Sequence, residues 1–299
     1  MTTPAGGTDR ARAPGRLVLV ATPIGNLGDL SPRAIEALRT AALVCCEDTR
    51  RTGKLLHLAG ISARMAVTNE HTETARVDEV LDLLNAGHDV AVVSDAGTPG
   101  ISDPGERLVR AVLEAGHAVT AVPGPAALVM ALVISGIDST RFVFEGFLPR
   151  SGGERSERLA DVASERRTSV FYEAPHRIVR TVRDLCAACG GGRRVALARE
   201  LTKLHEEVWH GTLDEAVAHV DEIEPRGEYV VVLAGAAQPA AADDDVIRTA
   251  LSEQLGNGAT RKDAVATVMS RLGASKRRVY DIATGLPRNL PNNTIDGST

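Results

Sequence analysis

Residues 90–105 read VAVVSDAGTPGISDPG, an apolar strand followed at once by a loop rich in glycine and proline. The strand, 90–93, is apolar at every position, which is typical of a sheet that is buried on both faces. Glycine and proline in the following loop allow sharp turns and a close approach of a ligand to the backbone. This stretch therefore predicts a parallel sheet with a ligand-binding loop at its edge.

The same alternation of apolar strands and helical patterns extends from residue 16 to residue 137. Ser31 followed by Pro32 predicts a helix start, since serine caps helices and proline is favoured in their first turn. Strands alternating with helices indicate an α/β domain with a mostly parallel sheet. Further strands are predicted at 17–21, 43–46 and 118–122, and helices from 32, at 54–59, at 77–86, from Asp103 to Gly116, and at 126–135.

A second α/β domain is expected at 138–235, with a mixed sheet. Its strands are predicted at 142–144, 169–172, 195–198, 207–210 and 229–233, and its helices at 154–164, 176–189 and 213–220. An Ala/Pro/Asp-rich linker, 236–245, leads into a basic helical extension, 246–286, whose last two helices flank a turn at Gly273. The tails 1–15 and 287–299 are expected to be disordered.

Charge is distributed unevenly in this chain of 299 residues with a net charge of −5. Residues 141–203 and 260–288 each carry an excess of five positive charges, which leaves −15 on the remainder. Two basic zones on an acidic body fit a polyanionic partner, although solvated helix faces produce the same pattern. No apolar run approaches the about 20 residues that cross a bilayer, and the N-terminus has no signal-peptide pattern, so we expect a cytoplasmic protein.

The four cysteines predict neither a disulfide framework nor a metal site. Cys45 and Cys46 lie in a predicted buried strand. Cys186 and Cys189 have CxxC spacing, but no second Cys or His pair completes a zinc site, and two packed helical residues are the simpler interpretation.

Three loops are expected at the carboxyl ends of the first sheet's strands, where open α/β sheets bind ligands. They are 22–30, 95–102 and 123–125. None has the GxGxxG dinucleotide pattern, and the chain has no GK[ST] of a Walker A loop. Each loop alone fits a tight connector; three at one edge favour a ligand site.

These loops and further motifs resemble the small-subunit ribosomal RNA 2′-O-methyltransferase I family, a branch of the tetrapyrrole-methylase-like enzymes. The resemblance covers roughly residues 16–235, and the basic tail is similar to that family's C-terminal extension. Its motifs are TPIGNLGD at 22–29, CEDTR at 46–50, SDAGTP at 94–99, PGP at 123–125, FEGFLP at 144–149, YEAPHR at 172–177, ARELTK at 198–203 and GEYV at 227–230. Gly100 and Cys46 depart from the family's usual residues, an apolar residue and alanine.

The resemblance implies a two-domain tetrapyrrole-methylase-like fold that binds S-adenosylmethionine in the cleft between its domains, as a homodimer and without a metal. It implies methylation of the ribose 2′-hydroxyl of a cytidine in the decoding region of 16S ribosomal RNA, as naked RNA or in the assembled small subunit. The residues that it places at the cofactor are Pro23, Asp95, Gly97, Thr98, Ile101, Ala126, Ala127, Tyr172, Glu173 and Leu233.

A ribose hydroxyl is a poor nucleophile at neutral pH, so a nearby proton acceptor would accelerate the reaction. Glu47 and Asp95 are our candidates; Asp48, His176 and a neutral Lys203 are further ones. Asp48 with Arg50 also fits a loop-holding pair, Asp103 an N-cap, and His176 a helix cap. For phosphate contacts we expect the cationic residues Arg50, Arg177, Arg199, Lys203, Lys276, Arg277 and Arg278.

Two alternatives remain open from the sequence alone. The same fold and cofactor could serve a tetrapyrrole or a protein substrate, although the DAGTP loop and the basic zones favour RNA. The chain could also be an inactive ribosome-binding assembly factor.

Overall fold

The structure, a computed structural model, describes residues 13–68, 72–103, 105–237 and 242–286. The chain divides after Ala236 into two compact units. None of the helices in these described ranges is both long and apolar enough to cross a membrane.

The first sheet of the larger unit is entirely parallel. Its strands are β1 (Arg16–Val20), β2 (Leu43–Cys46), β3 (Met65–Val67), β4 (Val90–Val92) and β5 (Ala118–Val122). Their order is β3-β2-β4-β1-β5, so β4, β1 and β5 are neighbours and their carboxyl ends lie side by side. The predicted parallel sheet is confirmed; β3, with three half-buried residues, was not predicted.

Helices cover both faces of this sheet. They are α1 (Pro32–Thr40), α2 (Thr49–Leu58), α3 (Glu73–Asn85) and α4 (Glu106–Glu114), and a fifth helix, α5 (Ala127–Ile134), follows β5 along the chain. One core contains Val20, Leu38 and Val44, and another on the opposite face contains Leu17, Leu84 and Leu108. Alternate residues of β1 thus face opposite cores, as the period of a strand requires.

Helix starts follow the capping chemistry in some places and depart from it in others. The Ser31 hydroxyl accepts a hydrogen bond from Ala34 N, as the Ser-Pro pair predicts. Asp48 caps α2, which therefore begins at Thr49 rather than at residue 54. The interpretation of Asp103 as an N-cap is wrong, because α4 begins at Glu106 and is capped by Gly105 at φ 130°.

The second sheet of this unit is mixed, as predicted. Its strands are β6 (Phe142–Phe147), β7 (Thr168–Glu173), β8 (Arg194–Arg199), β9 (Glu207–Thr212) and β10 (Tyr229–Leu233), in the order β6-β7-β10-β8-β9. Only the β6–β7 pair is parallel. The helices α6 (Gly152–Ser164), α7 (Ile178–Cys189) and α8 (Leu213–Glu222) pack on one face around Phe171.

Helix α5 packs against the other face of the second sheet. Leu128, Ala131 and Leu132 share a core with Val170 and Val232. An antiparallel-rich sheet would otherwise leave this apolar face exposed to water. The helix therefore joins the two sheets within one compact unit.

The smaller unit is a cluster of three helices, α9 (Asp244–Gly256), α10 (Arg261–Leu272) and α11 (Lys276–Gly285). Ile247, Leu251, Val268 and Val279 form its core. Gly273 ends α10 in the left-handed conformation, as the predicted turn requires. Helix α9 begins inside the expected linker. Residues 1–12 and 287–299 of the expected tails, and 238–241 of the linker, lie outside the described residues.

Candidate active site

A cavity of about 450 Å³ opens beyond the carboxyl ends of β1, β4 and β5 and extends to the second sheet. The first sheet contributes Ile24, residues 95–98, residues 101–103, Ala126 and Ala127. The second sheet and its loops contribute Phe147, residues 172–176, Glu200, Leu201, Lys203 and residues 228–230, and Arg51 comes from α2. The volume lies in the range of about 300–1,000 Å³ that small-molecule sites occupy.

The loops on the first-sheet side are fastened by backbone hydrogen bonds. Thr22 N donates to Gly97 O at 2.8 Å, and Gly97 N donates to Thr22 O at 3.1 Å. Gly97 has φ +83°, a left-handed conformation that side chains disfavour, and a Cβ there would lie 3.3 Å from Ile24 Cγ2. The Thr98 hydroxyl donates to Pro125 O at 3.1 Å and ties in the third loop.

Three carboxyl groups gather at this edge. Asp95 N donates to Glu47 Oε1 at 3.4 Å, and Asp95 Oδ2 lies 3.3 Å from Arg51 Nη1. Burial raises the pKa of both Glu47 and Asp103, with further increases from neighbouring carboxylates. Among the described residues, Asp95 Oδ1 is buried and has no hydrogen-bond partner. A buried carboxylate oxygen without a donor favours a polar or cationic ligand beside it.

Aromatic residues form the opposite wall. The Tyr172 ring has edge contacts with Phe144 and Phe147, with centroid distances of 4.9 and 5.8 Å. Its hydroxyl accepts a hydrogen bond from Leu128 N at 3.3 Å. The register of β6 shifts between Phe144 and Gly146, and such a bulge re-aims the side chains that follow. Phe147 thereby lies on the cavity wall, half-exposed.

Lys203 stands at the cavity in a network of opposite charges. Its Nζ lies 2.6 Å from Glu200 Oε1 and 2.9 Å from Glu228 Oε2. Although burial acts to lower the pKa of Lys203, hydrogen bonds to these carboxylates raise it. The amine is therefore protonated at neutral pH and cannot accept a proton, which removes Lys203 as a general base.

Most of the residues expected at the cofactor line this cavity. These are Asp95, Gly97, Thr98, Ile101, Ala126, Ala127, Tyr172 and Glu173. Pro23 is not among the lining residues, and Leu233 is fully buried in the core of the second sheet. Glu173 turns its carboxylate toward Thr181 Oγ1 at 2.6 Å and Ala174 N at 2.9 Å, so its polar atoms support the local fold.

The expected proton acceptors are also separated by the structure. Asp95 lines the cavity, whereas Glu47 lies behind it and contacts the Asp95 backbone. Asp48 caps α2 and pairs with exposed Arg50, and hydrogen bonds from Arg50 lower the pKa of Asp48 to about 2. His176 lies on the wall; the N-cap position of α7 belongs to Arg177.

The residues expected to contact phosphates occupy different places. Arg199 pairs with Glu207 at 2.8 Å, and Arg177 lies 3.2 Å from Glu173 Oε1. In the smaller unit, Lys276 and Arg277 are exposed, and Arg278 pairs with Asp244 at 2.7 Å.

Several lining residues were not predicted. Arg51 faces the cavity, whereas Arg50, which was expected to contact phosphates, pairs with Asp48. The start of α2 at Thr49 sets which of the two arginines turns toward the cavity. Asp103, Phe147, Glu200 and Glu228 also line it. All but Asp103 lie within or directly beside the family motifs, and membership of a motif could have marked them as candidate site residues. Which way their side chains point depends on the β6 bulge and on the turns, which the sequence did not predict.

The cysteine and histidine side chains that the structure describes are not grouped as metal ligands. Within the described ranges, no group of three or more His, Cys, Asp or Glu side chains is placed to hold a metal ion. Burial raises the pKa of the Cys45 thiol to about 11, which makes it unreactive at neutral pH. The Cys186 thiol lies 3.4 Å from Asp214 Oδ1.

Residues 16–217 match the Tetrapyrrole (Corrin/Porphyrin) Methylases family. Solved structures show the same fold. The methyltransferase CobJ superposes with a TM-score of 0.56 at 21% identity, covering 76% of this chain and 97% of that one. Uroporphyrin-III C-methyl transferase from Thermus thermophilus, complexed with S-adenyl homocysteine, gives a TM-score of 0.52 at 21% identity, covering 74% and 97%.

Curated relatives named ribosomal RNA small subunit methyltransferase I are much more similar in sequence. The protein from Synechocystis sp. is 44% identical over 91% of this chain and 98% of its own length. That from Xylella fastidiosa is 50% identical over 77% and 85%, and that from Mycobacterium tuberculosis 46% over 89% and 94%. The chain belongs to the tetrapyrrole methylase family and, within it, to the ribosomal RNA small subunit methyltransferase I family.

Proposed function

We propose that this protein is a cytoplasmic S-adenosylmethionine-dependent methyltransferase that modifies the ribose 2′-hydroxyl of a cytidine in the decoding region of 16S ribosomal RNA. The observation that carries the proposal is the cavity at the three loops, where a buried oxygen of Asp95 faces no protein donor among the described residues. The identity to curated relatives across 91% of the chain supports an RNA substrate over a tetrapyrrole.

The cavity residues fit the proposed cofactor. Ile24, Ile101 and Val230 supply apolar surface for its adenosine and aliphatic parts. The carboxylates of Asp95 and Asp103 lie where a cationic ligand gains electrostatic stabilisation. When bound, S-adenosylmethionine supplies a methyl group already activated on a positively charged sulfur. The backbone of 96–98, held by the Thr22–Gly97 hydrogen bonds, would orient it.

Positioning supplies most of the rate enhancement in this proposal. Holding donor and acceptor in line contributes up to about 7–11 kcal/mol. Asp95, on the cavity wall, takes the hydroxyl proton on its carboxylate, and Glu47 fixes the Asp95 backbone through the hydrogen bond from its N–H. A positioned base of this kind adds about 10²–10⁴-fold.

The smaller unit supplies a surface for RNA. Lys276 and Arg277 are exposed at the start of α11, and Tyr280 is exposed one turn later. Residues three or four apart share a helix face, so two cations and an aromatic ring lie together. Cations that neutralise phosphates beside an aromatic side chain that stacks on bases suit a single-stranded RNA segment.

A homodimer is proposed from α5. This helix is apolar around its whole circumference, and its outer residues Val129, Met130, Val133 and Ile134 remain exposed. A contiguous exposed apolar patch marks an interaction surface. A second copy of the chain is the partner that the resemblance implies.

The first prediction concerns the product. Small ribosomal subunits from cells that lack this enzyme, and naked 16S RNA, are incubated with the protein and labelled S-adenosylmethionine. We expect label in 2′-O-methylcytidine, identified by nuclease digestion and mass spectrometry. Label in a base, in protein or in added uroporphyrinogen, or no transfer to any acceptor, would overturn the proposal.

The second prediction concerns the proton acceptor. Asp95→Asn should lower kcat by about 10²–10⁴-fold, because an amide cannot accept the hydroxyl proton. Glu47→Gln should cost less, because an amide oxygen at this position can still accept the hydrogen bond from Asp95 N. The exposed Glu114→Gln is the control; an Asp95→Asn kcat within twofold of wild type contradicts the assignment.

The third prediction concerns the basic helical extension. Lys276→Glu combined with Arg277→Glu should weaken subunit binding and reduce the salt dependence of affinity by about two phosphate contacts. Deletion of 244–299 should do the same, and cofactor affinity by calorimetry should stay unchanged. Arg248→Glu, on exposed α9, is the control. Unchanged affinity at low salt would refute an RNA role.

The fourth prediction concerns the dimer. Light scattering after gel filtration should give twice the chain mass for wild type and the chain mass for Val133→Glu, because a charge in an apolar interface is costly to desolvate. Leu113→Glu, on α4, tests a similarly exposed apolar residue outside the patch and should remain dimeric. A monomeric wild type at micromolar concentration would rule out the interface.

A further inference from the structure

A second cavity, of about 340 Å³, adjoins the first and is lined almost entirely by cationic side chains. Its lining residues are Arg150, Arg155, His176, Arg177, Arg180 and Thr181. His176 lines both cavities, so the two sites share a wall. The residues come from the β6–α6 loop, from α6 and from the start of α7.

Arg155 is the buried member of this arginine cluster. Its side chain is only 4% exposed, and it donates to Asp184 Oδ2 at 2.8 Å, Pro149 O at 2.7 Å and Thr181 Oγ1 at 3.1 Å. A buried guanidinium held by three acceptors is fixed in position and stays charged. The positive potential at the cavity floor is therefore permanent.

The neighbouring carboxylates neutralise only part of the charge. Asp184 serves both Arg155 and Arg180, the latter at 3.6 Å, and Glu173 pairs with Arg177. Among the described residues no carboxylate pairs with Arg150 in a salt bridge, and its carbonyl oxygen accepts from Arg180 Nη1 at 3.0 Å. Four guanidiniums thus face two carboxylates, which leaves an excess of about two positive charges.

We propose that this second cavity binds a backbone phosphate of the RNA next to the nucleotide whose ribose enters the first cavity. The inference rests on the proposed function for the direction of the RNA, and it names a binding site that the methyl-transfer chemistry does not require. A guanidinium matches two phosphate oxygens with two parallel N–H groups, and the excess of positive charge is more than enough to balance the single negative charge of one backbone phosphate.

The second cavity lies where a bound phosphate would help to position the target nucleotide. A phosphate held across the His176 wall fixes one end of the target nucleotide while its hydroxyl reaches Asp95. Phosphate contacts set register and orientation without reading sequence. The exposed side chains of Arg150 and Arg180, the latter 60% exposed, are the ones that can reach the ligand.

The test removes these two exposed cations and leaves buried Arg155 intact. We expect Arg150→Ala/Arg180→Ala to raise the KM for small subunits about tenfold or more, with kcat nearly unchanged. The slope of log affinity against log salt should fall by about one, the value for a single phosphate, whereas Arg180→Lys alone, which keeps the positive charge, should leave the slope close to wild type. Cofactor affinity by calorimetry should match wild type.

The matched control is Arg158→Ala/Arg183→Ala, which removes two exposed cations of α6 and α7 that are paired with Glu145 and Asp221 outside the cavity. It should leave the KM and the salt slope close to wild type. An equal loss in the control would assign the effect to a general basic surface and overturn the proposal. Wild-type behaviour of the Arg150/Arg180 variant would also overturn it.

A second measurement separates this proposal from the proposed function. Anisotropy of a fluorescein-labelled uridine decamer reports RNA binding without any methyl transfer. If the protein methylates no RNA but the decamer still loses affinity and salt slope in the double variant, the phosphate site stands and the proposed reaction fails. If methylation occurs and neither assay responds to the arginines, the phosphate site fails alone.

Discussion

The pair of hydrogen bonds between Thr22 and Gly97 is the constraint on which the cavity depends. It joins the loops that follow β1 and β4, two adjacent parallel strands, at the point where the sheet ends. The bonds require the backbone of Gly97 to turn into the left-handed region and to pass close to Ile24. A side chain there would oppose both requirements, so the first wall of the site exists because a glycine follows Ala96.

The sequence was sufficient for every strand of the two sheets except β3, and for the position of this wall. Continuous apolar strands predicted burial on both faces, and loops after neighbouring strands had to meet at one edge. Orientation was harder to predict. Arg51 rather than Arg50 faces the cavity because Asp48 caps α2 and sets its phase, and Phe147 does so because of the bulge at Gly146. Leu233 was expected at the cofactor, but its strand is central to the second sheet and its side chain packs in the core instead of facing the cavity.

The two cavities that share His176 carry opposite charge. At the first cavity the carboxylates outnumber the cations Arg51 and Lys203, whereas the second cavity is lined mainly by arginines. The proposed cofactor brings positive charge and the proposed substrate brings negative charge. The cofactor is therefore attracted to the first cavity and the RNA phosphate to the second, while the uncharged ribose can enter the first. Opposite fields in adjoining cavities favour one arrangement of the two reactants, and this specificity comes from placement more than from any single contact.

Three residues other than glycine adopt left-handed backbone conformations in the described part of the chain, Ser102, Glu200 and Thr202, and the first two line the cavity. Such conformations cost about 1–3 kcal/mol each and persist only where surrounding contacts enforce them. Thr202, branched at Cβ, is the least suited of the three, and its N–H is held by the carboxylate of Glu206. Selection for thermal stability alone would favour glycine or asparagine at all three. The scaffold is therefore less stable at these positions than glycine would make it, and two of the three stand on the wall of the cavity.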